Sequence, residues 1–192
     1  MLGTQTRFEI EANVLFVHSS SAGISPSGQL PVLEFDGKVL IESKVILSFV
    51  AKEHNLAPEG NFHQAQADML AGVINDLENM LTARNKEEDP AKKEEALEDA
   101  DKVVIPDKCG YFEKFLLANS KHGFFIGDKL TYADIVVFTF LNSHFLKGKP
   151  EGIPELLKAF PTLSAWYERV RTQPKVQHWL KTSPPDLTGY VY

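Results

Sequence analysis

The sequence holds one cysteine, Cys109, in 192 residues. A single thiol excludes a disulfide framework and every cysteine-based metal spacing, so no metal is expected. Positive charge is in deficit: 20 Lys and Arg face 26 Asp and Glu, for a formal net charge of −6. Such a surface repels polyanions, so neither nucleic acid nor an anionic membrane is an expected partner. Long apolar runs are also missing. The longest near the start is Val14-Leu15-Phe16-Val17, too short for a signal peptide or a membrane span. The expected location is the reducing cytoplasm. There is no internal repeat, and no tyrosine stands before Tyr111.

What remains is 43% hydrophobic, enough for one large domain or two small ones with a real core. Residues 8–17 read as one strand. The stretch from Ser27 to Gly37, SGQLPVLEFDG, holds Pro31 just ahead of Val32-Leu33-Glu34-Phe35. Proline cannot donate to a ladder, so it belongs where a strand begins or on an edge. Asp36-Gly37 is a two-residue turn signal that returns the chain as Lys38-Val39-Leu40-Ile41. From Ser43 the period changes. Val45, Ile46, Phe49 and Val50 recur at helical spacing, with Ser43 as the expected N-cap and an end near Asn55. Ala57-Pro58-Glu59-Gly60-Asn61 has the composition of a linker.

Beyond the linker the pattern is helical. Met69, Leu70, Val73, Ile74, Leu77, Met80 and Leu81 form the stripe of a long amphipathic helix. Residues 84–108 are charge-dense and predict a turn and then a solvated helix, kinked or broken near Pro106. Cys109 follows on that helix as a structural thiol rather than a nucleophile. Pro161 and Pro174 each suit the first turn of a further helix. Thr131, three residues ahead of Asp134, is an N-capping pattern before Ile135-Val136-Val137-Phe138, and it predicts a structural role for both residues.

The run GQLPVLEFDGKVLIES, the linker, the helical remainder, FFIGDKLTYAD and the ending FPTLSAWYERVRTQPKVQHWL occur in this order. Together they resemble the cytosolic glutathione transferases, most closely the sigma class and its nematode relatives, from about Phe8 to Trp179. The resemblance implies an α/β thioredoxin-like N-terminal domain, truncated, over residues 1–57, a linker at 58–62 and an all-α helical bundle over 63–192. It also implies that Pro31 is cis, so that the backbone of Leu30 pairs with glutathione like an added strand. Gln29 would lie beside the same ligand. Ser43 would meet the γ-glutamyl carboxylate at a helix start, and Glu42, where the sigma pattern usually has Gln, the α-ammonium. Asp76 resembles the acid that reaches across a homodimer to the partner's glutathione.

Two implied features have no match. The class places a catalytic tyrosine on its first strand, and only 27 residues precede Gly28 here. The chain is therefore expected to begin just before the family's second strand, leaving residues 8–17 without a parallel partner and the inner edge of the hairpin unpaired. The Trp and Lys that grip the glycine carboxylate fall by spacing near His18 and Ala22, which do not replace them. No catalytic residue is assigned. The expected activity is conjugation of the glutathione thiolate, as co-substrate, to small apolar electrophiles, with prostaglandin-type isomerisation as a related reaction. The alternative is a non-catalytic homologue, structural or regulatory.

Overall fold

The computed structural model describes residues 15–16, 31–119, 122–146 and 152–182. It divides between Ala57 and Pro58 into two compact units.

In the first unit a hairpin forms where the sequence places it. β2 (Val32–Phe35) and β3 (Lys38–Ile41) pair antiparallel, with Phe35 opposite Lys38 and Val32 opposite Ile41. The two residues between them have φ of 49° at Asp36 and 70° at Gly37, the left-handed pair that a tight hairpin turn requires. α1 (Ser43–Glu53) follows at once. Leu33 and Ile46 are buried between hairpin and helix, with Phe35, Leu40, Phe49 and Val50 packed around them. The rings of Phe35 and Phe49 meet edge to face at 5.0 Å.

The expected unpaired edge is covered at Leu33 and Glu34. β1 (Leu15–Phe16) lies directly against β2, antiparallel, with Leu15 opposite Glu34 and Phe16 opposite Leu33. A bare strand edge leaves a row of N–H and C=O groups open, and pairing with any strand of suitable direction satisfies them. Residues 15–16 thus need no parallel neighbour; the rest of the predicted 8–17 strand lies outside the described residues.

In the second unit, α2 (Asn61–Asn85) starts just after Gly60, whose φ of 82° lets the chain turn into the helix. Its inner stripe is Ala67, Leu70, Ala71, Ile74, Leu77 and Leu81, all buried. The charge-dense segment forms α3 (Pro90–Asp99), a π-helical turn (Ala100–Val104) and α4 (Ile105–Ala118). The interruption predicted near Pro106 is this π turn, and Pro106 itself sits in the first turn of α4. Proline cannot donate to the carbonyl four residues back, and a wider turn ahead of it removes the clash.

α5 (Tyr132–Leu146) is apolar on every side and buried along most of its length. It packs against α2. At its start the Tyr132 hydroxyl accepts from the Gln64 amide and donates to the Asp68 carboxylate on α2, both at 2.5 Å. After a 3-10 turn (Glu155–Ala159), α6 (Pro161–Arg171) and α7 (Pro174–Thr182) complete the unit, each opening on the proline that the sequence marks. The Glu113 carboxylate of α4 caps α6 from outside, accepting the N–H groups of Thr162 at 3.0 Å and Leu163 at 2.6 Å.

Asp134 ties three elements together. Its Oδ2 accepts the backbone N–H and the hydroxyl of Thr131, both at 2.9 Å. Its Oδ1 accepts the N–H of Phe125 at 2.9 Å and the indole N–H of Trp166 on α6 at 2.8 Å. The reach back to the residue before the helix is half of a capping box. The other half differs from expectation: the Thr131 hydroxyl donates to Asp134, and the Asp134 N–H goes to the Thr131 carbonyl at 3.1 Å. Burial pushes the Asp134 carboxyl above its ordinary range, and the four donors pull it part of the way back.

Candidate functional site

The implied glutathione residues fall in two regions, one in each unit. In the first unit the strand register is decisive. Val32 stands opposite Ile41, so Pro31 and Glu42, the next residue outward on each strand, leave the sheet at the same end. Neighbouring strands lie about 5 Å apart, so two motifs eleven residues apart in sequence meet in space. Gln29, Leu30 and the Leu30–Pro31 peptide bond lie outside the described residues, as do His18 and Ala22.

Glu42 is the unusual residue. Its φ of 72° and ψ of 115° put a non-glycine side chain on a backbone that L-residues rarely adopt. Strain of this kind costs on the order of 1–3 kcal/mol and gathers at binding sites. Glu42, rather than Ser43, occupies the N-cap position, and its side chain makes no capping hydrogen bond. Ser43 is the first helical residue, and both side chains are exposed. The Glu42 carbonyl accepts from Ile46 at 3.0 Å, while the first N–H groups of any helix have no partner within it. The result is a helix start with exposed donors, a hydroxyl and a carboxylate within two residues. That combination can hold a zwitterion, since a helix start suits a carboxylate and a carboxylate suits an ammonium.

In the second unit Asp76 is exposed on α2. Met69, one heptad earlier on the same helix face, is also exposed, and the Tyr111 hydroxyl of α4 lies 3.8 Å from its sulfur. Cys109 is buried, and burial pushes its thiol up to about 12, which fits the structural reading. Among the described residues there is no group of three or more His, Cys, Asp and Glu able to hold a metal, and no helix long and apolar enough to cross a membrane.

Sequence reasoning missed Arg84. It continues the buried stripe of Leu77 and Leu81 one turn further and is itself buried. The spacing i, i+4, i+7 was visible, but a cation in that register reads as a solvated end.

A small α/β unit that presents a strand end beside a helix start, followed by a helical unit, defines a thioredoxin-like protein with an appended bundle. The comparisons with known proteins name the family. Residues 9–52 match the model of the glutathione S-transferase N-terminal domain, and residues 75–183 that of the C-terminal domain. A glutathione S-transferase of Plasmodium yoelii yoelii is 31% identical over 157 residues, which are 81% of this chain and 68% of that protein. The crystal structure of monomeric Na-GST-3, a glutathione S-transferase from Necator americanus, is 31% identical with a TM-score of 0.68, over 85% of this chain and 78% of that one. A prostaglandin synthase D of Nilaparvata lugens shares the fold at 23% identity, with a TM-score of 0.71 over 85% and 79% of the two chains. The chain belongs to the glutathione S-transferase family. By this resemblance it is a glutathione transferase, with glutathione as its co-substrate. The comparisons do not favour the non-catalytic alternative.

Proposed function

We propose that the chain binds glutathione where the start of β2 meets the start of α1, and directs the bound thiolate at small apolar electrophiles. The observation that carries the reading is the register of Val32 and Ile41, which sets Pro31 beside the strained Glu42. Ser43 and the exposed N–H groups of α1 receive the γ-glutamyl carboxylate, Glu42 the ammonium, and the backbone of Leu30, next to Gln29 and before a cis Pro31, pairs with the cysteinyl residue. In conjugation the sulfur forms a bond to the electrophilic carbon, the leaving group departs with its electron pair, and the thiol proton passes to solvent.

The protein is proposed to act as a homodimer in which Asp76 of each copy reaches the partner's glutathione. The exposed apolar Met69 on the same face of α2 supports this, although the 31% identical hookworm relative is described as monomeric. A sigma-like class, a cytoplasmic location and a role in detoxification complete the reading.

Ser43→Ala tests it. If the hydroxyl meets a charged carboxylate, glutathione binding weakens by about 1–3 kcal/mol in a calorimetric titration. An unchanged dissociation constant removes Ser43 from the site.

A further inference from the structure

A cavity of about 290 Å3 opens on the helical unit where the start of α2, the end of α4 and the loop ahead of α5 meet. Its inner wall is aromatic. Phe125 is buried there, and its ring meets those of Phe112, Phe115 and Trp166 edge to face at 5.9, 6.0 and 4.8 Å. The backbone of that wall is fixed as well. The Asn119 amide donates to the carbonyls of Phe124 at 2.9 Å and Gly127 at 3.0 Å, and Asp134 accepts the Phe125 N–H. Such a surface is formed before any ligand arrives.

The rim differs from the wall. Phe62, in the first turn of α2, is 75% exposed. A single exposed phenylalanine is ordinary. This one lines the same cavity as Phe115 and Phe125, so a flat ring seated there meets aromatic carbon from α2, α4 and the loop. Two polar side chains of α2 share the lining, His63 and Gln66. The His63 Nδ1 lies 3.1 Å from the Glu59 carbonyl, which can only accept. Nδ1 therefore carries the proton, and Nε2 of the neutral ring is an acceptor. Among the described residues nothing pairs with Nε2 or with the Gln66 amide. No Asp, Glu, Lys or Arg lines the cavity, so a charged ligand would find no counter-charge in it.

We propose that this cavity binds a small, neutral, flat aromatic molecule that carries an N–H or O–H donor. Its volume stands at the lower end of the range for ligand sites, about 300–1,000 Å3, which suits a ligand of few rings. The rings pack among Phe62, Phe115 and Phe125, and the donor meets His63 Nε2 or the Gln66 carbonyl oxygen. The site lies wholly in the helical unit and does not depend on the glutathione reading.

The test is a calorimetric titration of indole and of 1-methylindole into the full chain, with Tm measured alongside. Wild type should take up indole saturably. It should bind 1-methylindole, which keeps the rings and lacks the N–H, about tenfold more weakly. Ala118 is exposed on the lining, so Ala118→Trp fills the cavity without entering the core. That variant should unfold at the wild-type temperature without ligand and lose the saturable uptake. Phe62→Ala, also at an exposed position, should weaken it. No saturable uptake by wild type would overturn the proposal. Uptake that survives in Ala118→Trp would overturn it too, because the indole would then sit elsewhere, for instance where the transferase takes its electrophile. Equal affinity for the two indoles would overturn the part given to His63 and Gln66. If Ala118→Trp does not fold, the contrast between wild type and Phe62→Ala decides.

Discussion

The indole of Trp166 donates to the carboxylate of Asp134 at 2.8 Å across the interface of α5 and α6. Both residues are essentially without exposure, and the same carboxylate oxygen accepts the N–H of Phe125. One acid therefore fixes the loop ahead of α5, the start of α5 and the inner face of α6. Asp134→Ala leaves four donors without their acceptor, two of them backbone N–H groups. Urea unfolding should show a loss of about 3–5 kcal/mol, or no folded helical unit at all.

The same carboxyl gives a pH signature. Burial holds it above the ordinary value of 3.8. The folded state then keeps its proton to a higher pH than the unfolded state does. Asp134 therefore contributes stability that is fully present below about pH 3.8 and is lost as pH rises through its folded value. Unfolding free energies of wild type and Asp134→Asn, measured from pH 3 upward (about the range in which an aspartate titrates), should differ most in favour of wild type at the acid end. A difference that grows with pH would contradict this.

Glu113→Ala removes the acceptor for two N–H groups at the start of α6, where Pro161 already occupies the first position. The loss should be about 1–2 kcal/mol, the range for a helix cap. Glu113→Gln keeps one acceptor and should lose less. Equilibrium unfolding of the two variants measures both.

Much of this was legible in the sequence, and the reason is locality. Asp36-Gly37 sets the hairpin because two adjacent residues decide a turn. The stripe from Leu70 to Leu81 sets α2 because spacing on one helix decides burial. Pro161 and Pro174 mark helix starts for the same reason. What was not legible depends on partners far along the chain. Nothing near Thr131 or Asp134 announces Trp166, and nothing near Pro161 announces Glu113. The register that brings Pro31 to Glu42 follows from the hairpin once its turn is fixed, but the positive φ of Glu42 does not, because no propensity favours glutamate there. The direct pairing of Leu15 and Phe16 with β2 was missed because the family's strand order, rather than the open edge itself, was taken as the guide.

Glu42→Gly separates strain from binding. Glycine adopts a φ of 72° without the steric penalty of a side chain, so the variant should gain about 1 kcal/mol of stability or lose none. It should bind glutathione more weakly, because the carboxylate proposed to face the ammonium is gone. A variant that is less stable and binds equally well would make Glu42 a packing residue.

The most direct measurement is a calorimetric titration of glutathione into the purified chain, with its mass in solution checked by light scattering. Binding at about millimolar affinity or tighter, weakened by Ser43→Ala, is what the site at Glu42 and Ser43 predicts. A folded chain that takes up no glutathione would contradict it and return the non-catalytic alternative to first place.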